Sequence, residues 1–282
     1  MIDTHIHFWH YQPKEYDWID DDMPVLQQDR LPKNVITEAK NAGMTGMVAV
    51  QARCSEAEND FLLSVAKDLF DNGDDCIKGI VGWLDFCADD VDDKLQHYHQ
   101  HSLIKGFRHL VEYKPNPSKF WQRQDFRLGV KKALQQNFCY DLLCHQKDLP
   151  ALVDFAKHCD DNWLVLDHLA KPDFTNQDGF EFWKTWMAKL AECEHVAVKV
   201  SGLLTELGQN GSVKDLKRHV LTAIELFGVE RVVWGSDWPV VLLSGQDYAD
   251  WVNVWHDSIH DFTQNDKNLM ETLNAKAIYR LD

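Results

Sequence analysis

The chain has 282 residues, 45% hydrophobic and 26% charged, an ordinary globular composition that buries a core without staples. Its formal net charge of −16, from 29 basic and 45 acidic side chains, argues against a phosphate-reading nucleic-acid surface and an anionic-membrane surface, since both demand a basic footprint. Seven irregularly spaced cysteines without a CxxC pair, no leader-like pattern after Met1 and no apolar run near the roughly 18 residues of a membrane span lead to the expectation of a cytoplasmic protein with reduced thiols.

In chain order, eight short segments rich in Val, Ile, Leu or Trp read as strands: Ile2–Phe8, Gly46–Ala52, Ile77–Leu84, Ile104–Leu110, Cys139–Cys144, Trp163–Leu169, Val196–Ser201 and Arg231–Ser236. Helix-like stretches separate them. Trp9–Leu31 is a long connection, expected to lie over the mouth of the fold. Ser55 with Glu58 has capping-box spacing, and a stripe from Phe61 to Phe70 follows at helical period. Asp148 reads as the cap of a second stripe from Leu149 to Ala156, and Val213–Phe227 and Tyr248–Ile259 are similar, with Gly228 placed as a C-cap. Strands alternating with helical crossovers pair in parallel. An open doubly wound sheet usually carries a glycine-rich loop after its first strand, whereas here His7-Phe8-Trp9-His10-Tyr11 follows. The expectation is a (β/α)8 TIM barrel, one domain over residues 1–282.

Barrel chemistry sits at the carboxyl ends of strands. Those ends carry His5 and His7, Arg108 and His109, Cys144 and His145, Asp167 and His168, Lys199 and Ser201, and Asp237. With 14 histidines, about one His-x-His pair arises by chance, and His97, His99 and His101 supply a decoy. That run follows a helix-like stretch, where residues two apart face differently, so it reads as a solvated helix end. His5 and His7 lie on a strand, where i and i+2 share a face and two imidazoles can bind a divalent metal. His168 shares parity with Leu164 and Leu166, and Asp237 with Val233 and Gly235. Taken singly, each has a bland structural role. Together they suit one mononuclear hydrolytic centre, in which a metal lowers the pKa of bound water and a carboxylate takes its proton. The same groups can also act without metal, with Asp237 as base and the histidines and Arg108 stabilising an oxyanion.

Asp3-Thr4-His5-Ile6-His7-Phe8-Trp9 resembles the opening of the amidohydrolase superfamily. Gly106-Phe107-Arg108-His109-Leu110, Val165–Pro172, Lys199–Leu203, Gly235-Ser236-Asp237-Trp238-Pro239 and Asn274–Tyr279 narrow the resemblance to its sugar-lactonase branch, along the whole chain. The resemblance implies hydrolysis of an aldono-lactone with one divalent metal, most often zinc and sometimes manganese, at His5, His7 and Asp237. His168 would ligate the metal or contact the water, and Arg108 and Lys171 would hold substrate oxygens. The fifth strand offers only Cys144 and His145 where many superfamily members place a ligand histidine, which argues against a binuclear site. Trp9, Trp83 and Trp238 beside strand ends suit the apolar faces of a sugar, and Gln51 and Asp85 are placed to meet hydroxyls. The expected partner is a small molecule, with a homodimer allowed for. The competing readings are amide hydrolysis or decarboxylation of an aromatic acid on the same scaffold, and a non-catalytic binding barrel.

Overall fold

All eight apolar segments form strands, and every pairing is parallel. A computed structural model describes residues 1–175, 177–208 and 211–282. The strands are β1 (Ile2–Ile6), β2 (Gly46–Val50), β3 (Ile77–Gly82), β4 (Ile104–Arg108), β5 (Cys139–Leu142), β6 (Leu164–Leu166), β7 (Val196–Val200) and β8 (Val232–Trp234), in spatial order one to eight. The main crossover helices are α1 (Ile36–Asn41), α2 (Ala57–Asp71), α3 (Val91–Tyr98), α4 (Gln124–Gln135), α5 (Leu149–His158), α6 (Gln177–Ala191) and α7 (Val213–Phe227); α8 (Tyr248–Ser258) follows β8, and α9 (Asn274–Tyr279) ends the fold. Past the ends of β1 and β8 the ring closes, where Asp237 N–H donates to His5 O at 2.7 Å and His7 N–H to Trp238 O at 2.8 Å. Gly235 permits that approach, since a Cβ there would lie 2.6 Å from His5 Cβ. This is a (β/α)8 barrel.

Two apolar clusters show which strand residues face where. Met47, Ala49, Leu142, Leu164, Leu166, Val198, Val200 and Trp234 pack outward against the helices. Ile2, Val48, Val50, Val81, Cys139, Val165, Ala197 and Val233 pack inward, onto Ala275, Ile278 and Tyr279 of α9. Thus α9 closes the amino-terminal floor of the barrel. Alternation then carries Asp141, Asp167 and Lys199, each two residues beyond an inward apolar residue, into the interior one layer higher.

Two expected caps are absent. Glu58 turns inward, accepting from Ala52 N–H at 2.9 Å and Arg53 Nε–H at 2.7 Å, rather than completing a box with Ser55. The Asp148 carboxylate makes no cap bond and accepts from Ser118 Oγ at 2.7 Å. Gly228 does end α7, at φ +74°. The Trp9–Leu31 segment folds over the mouth as expected: Trp9 and Arg30 exchange backbone hydrogen bonds at 2.7 and 2.9 Å, around a small core of Trp9, Tyr16, Ile19 and Leu26. Among the described residues no helix is long and apolar enough to cross a membrane. The His97–His101 run lies at the end of α3 and beyond, and no metal-like group of described residues includes it.

Candidate active site

The register of β1 shifts between Asp3 and Ile6. Ile2 faces inward and Ile6 outward, so the irregularity changes parity and turns His5 and His7 into the barrel. Asp3, left on the other side, accepts from His5 N–H at 3.0 Å, Ser236 N–H at 2.8 Å and Tyr248 O–H at 2.9 Å, which ties β1 to the segment holding Asp237.

His168 reaches the same place by a different route. The parity expectation fails: Leu164 and Leu166 face the helices, and Val165 and Asp167 face inward. The chain instead turns left-handed after β6, with φ of +53° at His168, +49° at Leu169, +62° at Ala170 and +46° at Lys171. Each such non-glycine residue costs about 1–2 kcal/mol. Surrounding contacts hold the turn: Leu169 and Ala170 are fully buried, and Leu169 O accepts from Trp183 Nε1–H at 2.7 Å. Strain of this kind collects at functional sites. Asp237 also lies in this region, at φ +56°.

The four side chains converge. His5 and His7 Nε2 atoms are 3.1 Å apart, and Asp237 Oδ1 lies 3.6 Å from the first and 3.4 Å from the second. His168 Nε2 is 4.0 Å from the same oxygen. His5, His168 and Asp237 form one group whose ligand atoms lie within 4.8 Å of one another. The donor set fits one divalent ion. His7 Nδ1–H donates to Val50 O at 2.7 Å, which leaves an Nε2 lone pair aimed at His5. His5 admits two tautomers. Either Lys199 donates to Nδ1 and Nε2–H donates to His7, or Nδ1–H faces Asp167 Oδ1 at 3.3 Å and the Nε2 lone pair joins the centre. The second is the ligand form, with the carboxylate partner usual for metal-bound histidine. His168 Nδ1 is paired with Ser201 Oγ at 2.8 Å.

The electrostatics suit ligands and a base. Burial pushes the His168 imidazolium below its ordinary pKa, against the raising pull of Asp237 and Asp167. Burial pushes the Asp237 carboxyl up, but His168 and His7 outweigh it and hold it below the usual value.

Arg108 ends β4 inside the barrel, with Nη1 3.0 Å from Asp167 Oδ2 and 3.1 Å from His5 Nε2, while Nη2 donates to Gln51 O at 2.6 Å. Above the centre lies a cavity of about 160 Å³ whose wall includes His7, Arg108, His168, Lys171 and Asp237, with Trp18 and Met23 from the β1–α1 connection. Lys171 Nζ sits 2.8 Å from both Glu112 oxygens and 3.7 Å from Glu206. Burial lowers the lysine pKa and raises that of Glu112, but their mutual attraction reverses both shifts, so the pair is charged. Two roomier concavities, of about 610 and 640 Å³, lie on the outside near Glu38 and Phe70 and hold none of these groups.

Other expected contacts lie elsewhere. Gln51 is fully buried, its Nε2–H donating to Arg108 O at 3.2 Å. Trp9 donates to Gln28 O, Trp83 packs on His109, and Trp238 packs on Phe8; none lines the cavity, and Trp18 supplies its indole instead. Cys144 is buried, and half-exposed His145 lies 3.5 Å from Glu112; neither belongs to a metal-like group among the described residues. Asp141, Glu112, Glu206 and Trp18 were not singled out by sequence. Asp167 and Lys199 stand inside the motifs, and their parity with Val165 and Ala197 marks them only once those two are known to face the interior.

A barrel that brings histidines and a carboxylate together at its strand ends can activate water, as hydrolytic enzymes require. The chain belongs to the amidohydrolase family, whose sequence profile matches residues 2–281. It is 32% identical over 268 residues to an L-fucono-1,5-lactonase of Burkholderia multivorans, covering 91% of this chain and 88% of that one. A second L-fucono-1,5-lactonase, from Burkholderia ambifaria, is 27% identical over 89% of this chain and 85% of its own. The crystal structure of an amidohydrolase from Burkholderia multivorans with bound zinc superposes with a TM-score of 0.93 at 30% identity, over 100% of this chain and 99% of that one.

Proposed function

We propose that the protein hydrolyses a sugar lactone, an aldono-lactone, to the sugar acid. The observation that carries this reading is the convergence of His5, His7, His168 and Asp237 beneath a cavity of about 160 Å³. That is about five times the volume share of a water, which suits one sugar ring. The likeness to two L-fucono-1,5-lactonases supports the substrate class, and the zinc in the similar crystal structure supports the metal.

His5, His7 and Asp237 would hold one divalent ion, zinc or manganese, with His168 as a further ligand or as a partner of the water. Such an ion supplies an acidified water and a polarised carbonyl. Asp237 takes the proton of the attacking water, its low pKa keeping it ionised. Water oxygen bonds to the lactone carbonyl carbon, the ring C–O bond breaks, and the released ring oxygen takes the proton back as a hydroxyl. Arg108 and Lys171 hold the carbonyl and ring oxygens as negative charge develops. Glu112 fixes the Lys171 ammonium and keeps the cavity close to neutral, which suits an uncharged polyol ring.

The test is a panel of aldono-1,4- and 1,5-lactones followed by acid release in a pH-stat, beside panels of amides and aryl carboxylates. Turnover confined to lactones is expected. Turnover confined to another panel assigns that reaction instead, and binding of lactones without turnover marks a binding barrel.

A further inference from the structure

Beneath the strand-end centre lies a second group, His5, Asp141 and Asp167, whose ligand atoms also fall within 4.8 Å of one another. Lys199 occupies the middle of it. Its Nζ stands 2.6 Å from Asp141 Oδ2, 2.9 Å from Asp167 Oδ1 and 3.1 Å from His5 Nδ1. All four side chains are completely buried. Two buried carboxylates are expensive unless a cation accompanies them. Arg108 Nη1 compensates part of Asp167, and the Tyr279 hydroxyl lies 3.0 and 3.1 Å from the two Asp141 oxygens, but among the described residues only the ammonium touches both acids. The two groups share His5, which turns Nε2 to His7 and Nδ1 to Lys199.

We propose that Lys199 is the resident cation of the barrel interior: it takes the place of a second divalent ion among His5, Asp141 and Asp167 and so restricts the centre to one. The inference rests on reading the strand-end group as a divalent-metal site, and it is independent of which lactone is opened. An oxygen- and imidazole-rich group of this kind suits manganese or zinc once the ammonium is gone. An ion in that place would bind Nδ1 of His5 while the strand-end ion binds Nε2, so the ring would bridge the two as an imidazolate, its Nδ1 proton released to solvent. Two paramagnetic ions linked in this way are exchange-coupled, which a scatter of surface-bound ions is not.

The experiment compares metal-depleted wild type and Lys199→Ala, each titrated with manganese(II), by elemental analysis after gel filtration and by electron paramagnetic resonance. Wild type should saturate with one ion per chain and an isolated-ion spectrum. The variant should take two, with an exchange-coupled spectrum. A variant that stops at one ion, its acids neutralised by protonation instead, overturns the inference, as does a coupled pair in wild type. Thermal unfolding guards against a variant that folds poorly: manganese should raise its melting temperature more than that of wild type, because the ion supplies the missing charge. A variant that stays unfolded with and without manganese counts against the proposal. If neither protein binds an ion, the metal reading of the strand-end centre falls too, whereas one ion in both removes only the role given to Lys199.

Discussion

Asp237 faces the two strand-one histidines with Oδ1, and its Oδ2 lies where only a glycine at position 202 leaves room. The proposed mechanism makes it both base and ligand, and so depends on it most. Asp237→Asn should lower kcat/KM on the best lactone by about 10²–10⁴-fold, the usual contribution of a positioned base, with the circular dichroism spectrum unchanged. Activity within a few-fold of wild type would remove the assigned role. His109, next to Arg108, behaves differently. It is enclosed by Trp83, Phe86, Phe120 and Phe126, and burial, aided by Lys114, pushes its pKa down to about 3. The unfolded chain therefore binds a proton at about pH 6.5 that the folded protein refuses until about pH 3. The stability that the neutral ring contributes is present above pH 6.5 and is lost as the pH falls towards 3. His109→Phe fills the aromatic site without a titrating group. Between about pH 6.5 and 4.5, wild type should lose roughly 2 kcal/mol more stability than the variant in urea titrations, and parallel pH profiles would contradict this.

At the scale of the element, the site depends on local departures from regular structure. The register shift in β1 turns two histidines inward, and the left-handed turn after β6 swings His168 and Lys171 to the cavity. Gly202, at φ +65° just past β7, leaves the space into which that turn fits: a Cβ there would lie 2.6 Å from His168 Nδ1 and 2.9 Å from Asp237 Oδ2. Gly202→Ala should reduce activity by about 10²-fold through misplacement of both groups, and should lower metal affinity measured by chelator competition. Unchanged affinity and activity would show that the turn tolerates displacement. These departures also explain what the sequence hid. Eight strands were legible from apolar runs, and the histidine, aspartate, arginine and lysine side chains at their ends from position. The inward facing of Asp167 and Lys199 was not, because alternation pairs them with Val165 and Ala197 but does not say which face is interior. The facing of His168 was not, because parity is defined only while the backbone stays extended. Nor did tryptophan position relative to strand ends identify the cavity wall, since Trp9 and Trp238 are drawn into packing while Trp18, inside an irregular connection, lines it.

Over the whole molecule, the barrel is layered along its axis: α9 at the floor, an apolar ring of Val48, Val81, Val165, Ala197 and Val233, a charged layer of Arg108, Asp141, Asp167 and Lys199, then the histidines and the cavity. Tyr279 spans the lower layers. Its ring packs with the floor, and its hydroxyl reaches Asp141 in the charged layer. The closing helix thereby bonds directly to the network that surrounds His5. Tyr279→Phe keeps the ring and removes the hydroxyl, leaving Asp141 with less compensation in a dry interior. That should cost about 1–3 kcal/mol. Tyr279→Ala also opens a cavity at the floor and should cost about 3–5 kcal/mol, as truncation of a buried aromatic does. Urea denaturation measures both. The layered arrangement requires the order wild type, Phe, Ala in decreasing stability, with the Phe variant displaced from wild type although the lost atom lies far below the cavity. A Phe variant as stable as wild type would mean that Lys199 alone satisfies Asp141, and that α9 closes the barrel only through its apolar face.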